Sequence, residues 1–288
     1  MSPAFLLGCG SSGTTDVPLP GTIYLTAGAD PSAASLYRFT THPFGFQLVY
    51  AATAPGRGVD AVTGNAGILV VADSRSGVTT LDRVTAHGLK LIPGVPERAY
   101  LPAVLTNGTV GFATIVSGRR PDGSRLPRDY QVVSVDPTTG AKRVLLHDPM
   151  EIGGLAFGPD GALAVAEFST DYKSVFLQLI SREGDRHKTT LSGPSYVSWN
   201  SDGSRLLIAG DLAHGGTTVI DASMGQRIAK IDGWRGLAWS PDNHQVLVTK
   251  GSTLALWTPG AKDGPKVVGS VTSPAQIYGA AWLIRDVT

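Results

Sequence analysis

Five stretches of this 288-residue chain repeat one pattern, and no other feature of it limits folding as tightly. In register they are AVTGNAGILVVA (61–72), AVLTNGTVGFA (103–113), GLAFGPDGALAVA (154–166), YVSWNSDGSRLLIA (196–209) and GLAWSPDNHQVLV (236–248). Each reads as an apolar strand, a tight polar turn and a second apolar strand. Pro159 and Pro241 preset φ for a turn, Asp160, Asp202 and Asp242 can bond their own backbone, and Gly161 and Gly203 accept positive φ. Asn65 and Asn107 hold the same register. The anchors Asn65, Asn107, Asp160, Asp202 and Asp242 stand 42, 53, 42 and 40 residues apart. That spacing is the length of a four-stranded repeat unit.

The third and fourth strands of the unit are also visible. SVFLQLI (174–180) and HKTTL (187–191) follow the third repeat, and TTVID (217–221) and QRIAKI (226–231) follow the fourth. VDPTTG (135–140) and IDASMG (220–225) are their hairpin loops, with Asp at the strand end and Gly at the exit. YGAAWL (278–283) matches a first strand, with Trp282 in the place of Trp239 and Trp199, but the chain stops before its partners. Those partners are at the other end, in TIYLTA (22–27), SLYRFT (35–40) and FQLVYA (46–51). The expected fold is all-β: a six-bladed β-propeller of four-stranded blades over residues 22–284, closed by the C-terminal inner strand pairing with three N-terminal strands. Residues 285–288 are left as a tail. Closure leaves no large unpaired sheet edge. With its turns WSPDN (239–243), WNSDG (199–203) and FGPDG (157–161), the chain resembles the TolB-like and WD-repeat-like propellers. That resemblance implies the fold and an extracytoplasmic setting; such propellers include both enzymes and binders.

Composition agrees. With 36 glycines, 19 prolines and only 16% charged residues, the chain suits short strands and tight turns. Its 24 basic and 23 acidic residues leave a net charge of +1, no footprint for nucleic acid or an anionic membrane surface. One cysteine excludes an intramolecular disulfide and a Cys-rich zinc site.

That cysteine closes Leu6-Leu7-Gly8-Cys9, which resembles the motif ending a bacterial lipoprotein signal, where the thiol carries the lipid. Only MSPAFLLG precedes it, so residues 1–9 read as a lipoprotein signal truncated at its upstream end. Residues 10–21, small, polar and proline-containing, read as a flexible tether. The expectation is a protein outside the cytoplasm, anchored to the cell membrane through Cys9 or secreted. Its contact with the membrane is through the lipid alone.

Chemistry is harder to find. No G-x-S-x-G elbow is present, and the six histidines lie in different repeats without metal-ligand spacing. Phe157, Trp199, Trp239 and Trp282 recur at one repeat position, a packing signature for contacts between blades. Asp73, Glu167 and Asp211 end second strands, and Asp30 follows the equivalent strand of the shared blade; together they could ring one face and bind a cation such as Ca²⁺. No other cofactor is expected. Loops leading into first strands bring Asp60, Arg98, Tyr100, Glu151, Tyr196, Arg235 and Tyr278 to the channel mouth on that face. Tyr and Arg concentrate at binding hot spots because they combine apolar area with fixed donors. The longest loop, SGRRPDGSRLPRDY (117–130), adds Arg119, Arg120, Arg125 and Arg128.

Three functions fit these residues. A non-catalytic propeller would bind a protein or peptide of the cell envelope through its loop face. A metal-dependent enzyme of the propeller lyase or lactonase kind would need several carboxylates to converge. A binder of cell-wall glycans would use Tyr100, Tyr196 and Tyr278 as stacking platforms.

Overall fold

The computed structural model describes residues 19–30, 33–41, 44–51, 57–65, 67–75, 78–116, 129–191, 193, 195–223 without 211–215, 225–271 and 275–287. Cys9, most of the tether, the Arg119–Arg128 segment, Asp211 and the Asp60 side chain lie outside them. Among the described residues every element is a β-strand. In chain order these are β1 (Thr22–Gly28), β2 (Ser35–Thr41), β3 (Phe44–Tyr50), β4 (Arg57–Asn65), β5 (Ile68–Arg75), β6 (Val78–Thr85), β7 (Gly88–Leu91) and β8 (Tyr100–Val104). They continue with β9 (Val110–Val116), β10 (Asp129–Val135), β11 (Lys142–Asp148), β12 (Ile152–Phe157), β13 (Leu163–Phe168), β14 (Val175–Ile180), β15 (Arg186–Leu191) and β16 (Ser195–Trp199). The last are β17 (Arg205–Gly210), β18 (Gly216–Asp221), β19 (Arg227–Asp232), β20 (Arg235–Trp239), β21 (Val246–Lys250), β22 (Thr253–Trp257), β23 (Lys266–Ser270) and β24 (Gln276–Leu283).

Six antiparallel sheets of four strands result. Blades 1 to 5 take four consecutive strands each, from β4–β7 to β20–β23, and the closing blade is ordered β24-β1-β2-β3. The expected ring closure is therefore the observed one, with Thr22 opposite Leu283 and Leu25 opposite Ala280. Gly21 makes the approach possible. Its φ is +80°, and a Cβ there would lie 2.0 Å from the Leu283 carbonyl oxygen.

Among the described residues no single central core forms. Burial is divided among six clusters, each between two neighbouring blades, because a sheet with one apolar face per side must cover both. The recurring aromatics fill these contacts. Trp239 packs with Leu207 and Val219 of blade 4 and donates its indole N–H to the Ser198 carbonyl at 3.1 Å. Trp282 donates to the Pro20 carbonyl at 2.6 Å. Phe157 lies where a Cβ on Gly111 would strike its ring at 2.0 Å.

First strands run from one rim of the channel to the other. The rim carrying the Pro-Asp-Gly turns is called here the turn rim, and the opposite one the loop rim. Near the loop rim five of the six first strands shift register: β24 at Tyr278, β4 at Asp60, β8 at Leu101–Pro102, β12 at Gly153 and β20 at Leu237. Only β16 pairs regularly. A bulge leaves a residue outside the ladder and re-aims its side chain. The repeat therefore loosens its pairing where the channel opens.

Candidate functional site

A cavity of about 460 Å³ opens at the loop rim. Tyr100, Leu101, Tyr196, Arg235 and Tyr278 line it, with Thr63, Asn65, Ser198 and Trp199 further along the wall. A second cavity of about 510 Å³ at the turn rim shares Thr63, Asn65, Tyr196, Ser198 and Trp199 with the first, so one channel reaches both rims.

Four of the seven residues expected at the mouth thus meet in one cavity. Arg235 is held there by an Nη1–H bond to the Tyr278 carbonyl at 2.8 Å, and Tyr278 in turn donates its hydroxyl to the Gly28 carbonyl at 3.3 Å. Burial raises the Tyr196 phenol, against the opposing charge of Arg235. Tyr278 is raised by burial and then by the Asp30 carboxylate. Tyr100 is pushed far above the tyrosine range by burial, then by the charge of Glu151. All three phenols are therefore neutral hydrogen-bond donors at physiological pH.

Arg98 and Glu151 sit outside the cavity, on the rim. Arg98 is exposed with φ of +70°, pinned by its backbone N–H to the Thr79 carbonyl at 3.1 Å. Glu151 accepts hydroxyl bonds from Tyr172 at 2.6 Å and Tyr130 at 3.2 Å. Its hydrogen bond and charge push the Tyr172 hydroxyl up to about 12. Asp60 occupies the β4 bulge, homologous to Tyr278 in β24.

The carboxylates expected to ring this face differ in their surroundings. Asp30 is exposed, whereas Asp73 and Glu167 are fully buried. Glu167 accepts from the Lys188 ammonium at 3.0 Å, and that ammonium also lies 4.6 Å from the Phe176 ring centroid. Burial raises Glu167 to about 7, with Lys188 lowering it and neighbouring Asp148 raising it further. Among the described residues no three His, Cys, Asp or Glu side chains stand together as a metal site.

Tyr130, Asp148, Tyr172 and Lys188 belong to this rim and were not singled out from the sequence. Tyr172 had a readable signal, since FSTDYKS (168–174) is the second-to-third-strand loop of its blade. Leu101 had none: its φ of +52° follows from the β8 bulge. Three of the four described non-glycine residues with positive φ, Arg98, Leu101 and Tyr172, lie at this rim. Such conformations persist only where the surroundings over-determine them, and they concentrate at ligand sites.

No family model and no curated protein matches the chain. Solved structures do. TolB from Acinetobacter baumannii superposes with a TM-score of 0.69 at 13% identity, over 92% of this chain and 67% of that one. A chain of a nidogen/laminin complex gives 0.63 at 14% identity, over 91% and 98%. A chain of a mitotic checkpoint complex gives 0.55 at 15% identity, over 97% and 93%. At such identities the likeness is one of fold. In that respect the chain is a six-bladed β-propeller similar to TolB.

Proposed function

We propose that this propeller is a non-catalytic binding module, outside the cytoplasm and tethered to the membrane through Cys9, that receives a protein or peptide at its loop rim. The observation that carries the reading is the mouth itself, where three neutral tyrosines and one arginine surround a cavity of about 460 Å³. Tyr and Arg offer large contact area with fixed donors, which is what a partner's side chains and backbone require. The nidogen/laminin and mitotic checkpoint chains, similar in fold, come from complexes of proteins.

A photocrosslinking amino acid placed at Arg98 tests this against one placed at His244, which is exposed on the turn rim. In intact cell envelopes the Arg98 position is expected to capture a discrete protein and the His244 position none. Equal capture at both rims, or none at Arg98, overturns the reading. The doubly reversed variant Arg119→Glu/Arg120→Glu is expected to weaken that capture with an unchanged melting temperature. Mass spectrometry of the membrane fraction tests the anchor: an unmodified Cys9 removes it.

A further inference from the structure

On the blade 3 side of the loop rim an exposed aromatic ring and a carboxylate are in contact. Gly153, at the β12 bulge, leaves room for Phe168, since a Cβ there would lie 2.3 Å from its ring. The Tyr172 ring leans on Phe168 with centroids 5.9 Å apart. Its backbone N–H bonds the Ser169 carbonyl and its hydroxyl bonds Glu151, so a side chain that is 58% exposed is held in one place. A large ring fixed in water in this way has already lost the freedom that a partner would otherwise have to take from it.

Glu151 stands without a counter-ion. Both of its hydroxyl bonds, from Tyr130 and Tyr172, fall on Oε2; among the described residues no hydrogen bond reaches Oε1 and no Lys, Arg or His pairs with it. Its charge is felt nearby: the Tyr172 hydroxyl is raised by its bond to Glu151 and then by that charge, and Tyr100, in the cavity wall, is raised by burial and then by the same charge. Asp171, on the same loop, differs in being already engaged, by the Ser169 hydroxyl at 2.6 Å, the Lys173 N–H at 3.2 Å and the Lys173 ammonium at 3.8 Å. Blade 3 also shows what a carboxylate and a ring can hold between them. The Lys188 ammonium lies 3.0 Å from Glu167 and 4.6 Å from the Phe176 ring centroid. Glu151 and Tyr172 offer the same two groups at the rim without the cation.

We infer that Glu151 and Tyr172 receive a cationic side chain, lysine or arginine, of the partner bound at the loop rim. This rests on the reading of the rim as a protein- or peptide-binding site and specifies the partner's chemistry. The cationic head bonds Oε1, and its alkyl stem lies along the Tyr172 ring. A charge-assisted bond gives the contact direction, and an acidic partner is rejected because it would bring like charge to Glu151.

The test uses the full chain on arrays of random hexapeptides with one central arginine or lysine, and on the same peptides with citrulline or acetyl-lysine in its place. These analogues keep the length of the side chain and lose its charge. Wild-type protein is expected to bind the charged set roughly tenfold more strongly than the neutral set, with the ratio shrinking as salt is added. Glu151→Gln, which still accepts from the tyrosine hydroxyls, is expected to abolish the preference, and Tyr172→Gly to reduce it severalfold. Asp171→Asn, an equal change of charge on the same loop, is expected to leave most of it. Near-ultraviolet circular dichroism checks that each variant is folded, and if Glu151→Gln is not, Tyr172→Gly decides. Equal binding of the charged and neutral sets, a preference that survives in the folded variants, or an equal loss in Asp171→Asn overturns the cation site while peptide binding at the rim stands. Binding to no peptide also overturns the cation site; together with no capture at Arg98, it overturns both readings.

Discussion

At the turn rim, neighbouring blades are bonded turn to turn: Ser201 of blade 4 donates from its backbone and hydroxyl to Asn243 of blade 5 at 2.8 and 2.9 Å, and Thr106 of blade 2 donates to Pro159 of blade 3 at 3.1 Å. At the loop rim, Tyr130 of blade 2 donates to Glu151 at the entry of blade 3, while the Tyr172–Glu151 bond and the Glu167–Lys188 pair stay within blade 3 and a cavity opens between the blades. Electrostatics adds a contrast between exposed turn acids and the buried Glu167. Asp202 and Asp242 are lowered by hydrogen bonds, first from Ser204 and Ser240. Glu167 is raised, first by burial. One rim has its polar groups matched to the ring's own turns, and the other holds buried acid and left-handed backbone that the ring does not need. Surfaces of the second kind are where binding is built, because their cost to the fold must be offset by something else.

The difference can be broken from the turn rim first. Trp239→Ala removes a buried ring shared by blades 4 and 5 and is expected to cost about 3–5 kcal/mol in urea unfolding. Gly21→Ala forces a side chain into the left-handed region and onto the Leu283 carbonyl; a loss of about 3 kcal/mol is expected, and a thermal melt within a degree of wild type would show that the closure is not tight there. Asn243→Ala frees the Ser201 donors and is expected to cost about 1–2 kcal/mol. On the loop rim the sign reverses. Tyr172→Gly relieves a φ of +57° at an exposed side chain and is expected to leave stability unchanged or raised by about 0.5 kcal/mol, although it removes a contact to Glu151.

A pH-dependent effect also separates the rims. Glu167 holds its proton more tightly when folded, so its contribution is complete below its ordinary value of 4.5 and is lost as pH rises towards about 7. Stability of wild type relative to Glu167→Gln is expected to fall across that window, by up to roughly 1 kcal/mol per pH unit. Asp202 and Asp242 act in the opposite sense. Their lowered values contribute stability above 3.8 that is lost as pH falls below it. If Asp202→Ala and Glu167→Gln shift the pH profile at the same end, the electrostatic contrast between the rims is wrong.

How legible the two rims were differs for the same reason. The turn rim repeats, and the residues that make it, Asp160, Asp202, Asp242 and the aromatics three positions before them, announce themselves at fixed intervals. Asn243 was visible within WSPDN, but its grip on Ser201 in the next blade was not, since the two lie 42 residues apart. At the loop rim, Tyr100, Tyr196, Arg235 and Tyr278 could be placed from strand register alone. Their convergence on one cavity could not, nor could the separation of Arg98 and Glu151 from it, because bulges turn side chains by local backbone geometry. Tyr130 and Lys188 join the rim by reaching across strands, which no spacing encodes.

By itself the sequence determined the blade count, the all-β class, the strand ladder and the closure of the ring by its two ends. These follow from alternation, turn chemistry and a repeat length that only a four-stranded unit fits. Tertiary structure decided which acids are buried, where the first strands leave their ladders, and that a single arginine stands among the tyrosines of the mouth. Burial and proximity depend on neighbouring blades brought together by the closed ring, and the distances involved are set by packing between segments far apart in the chain.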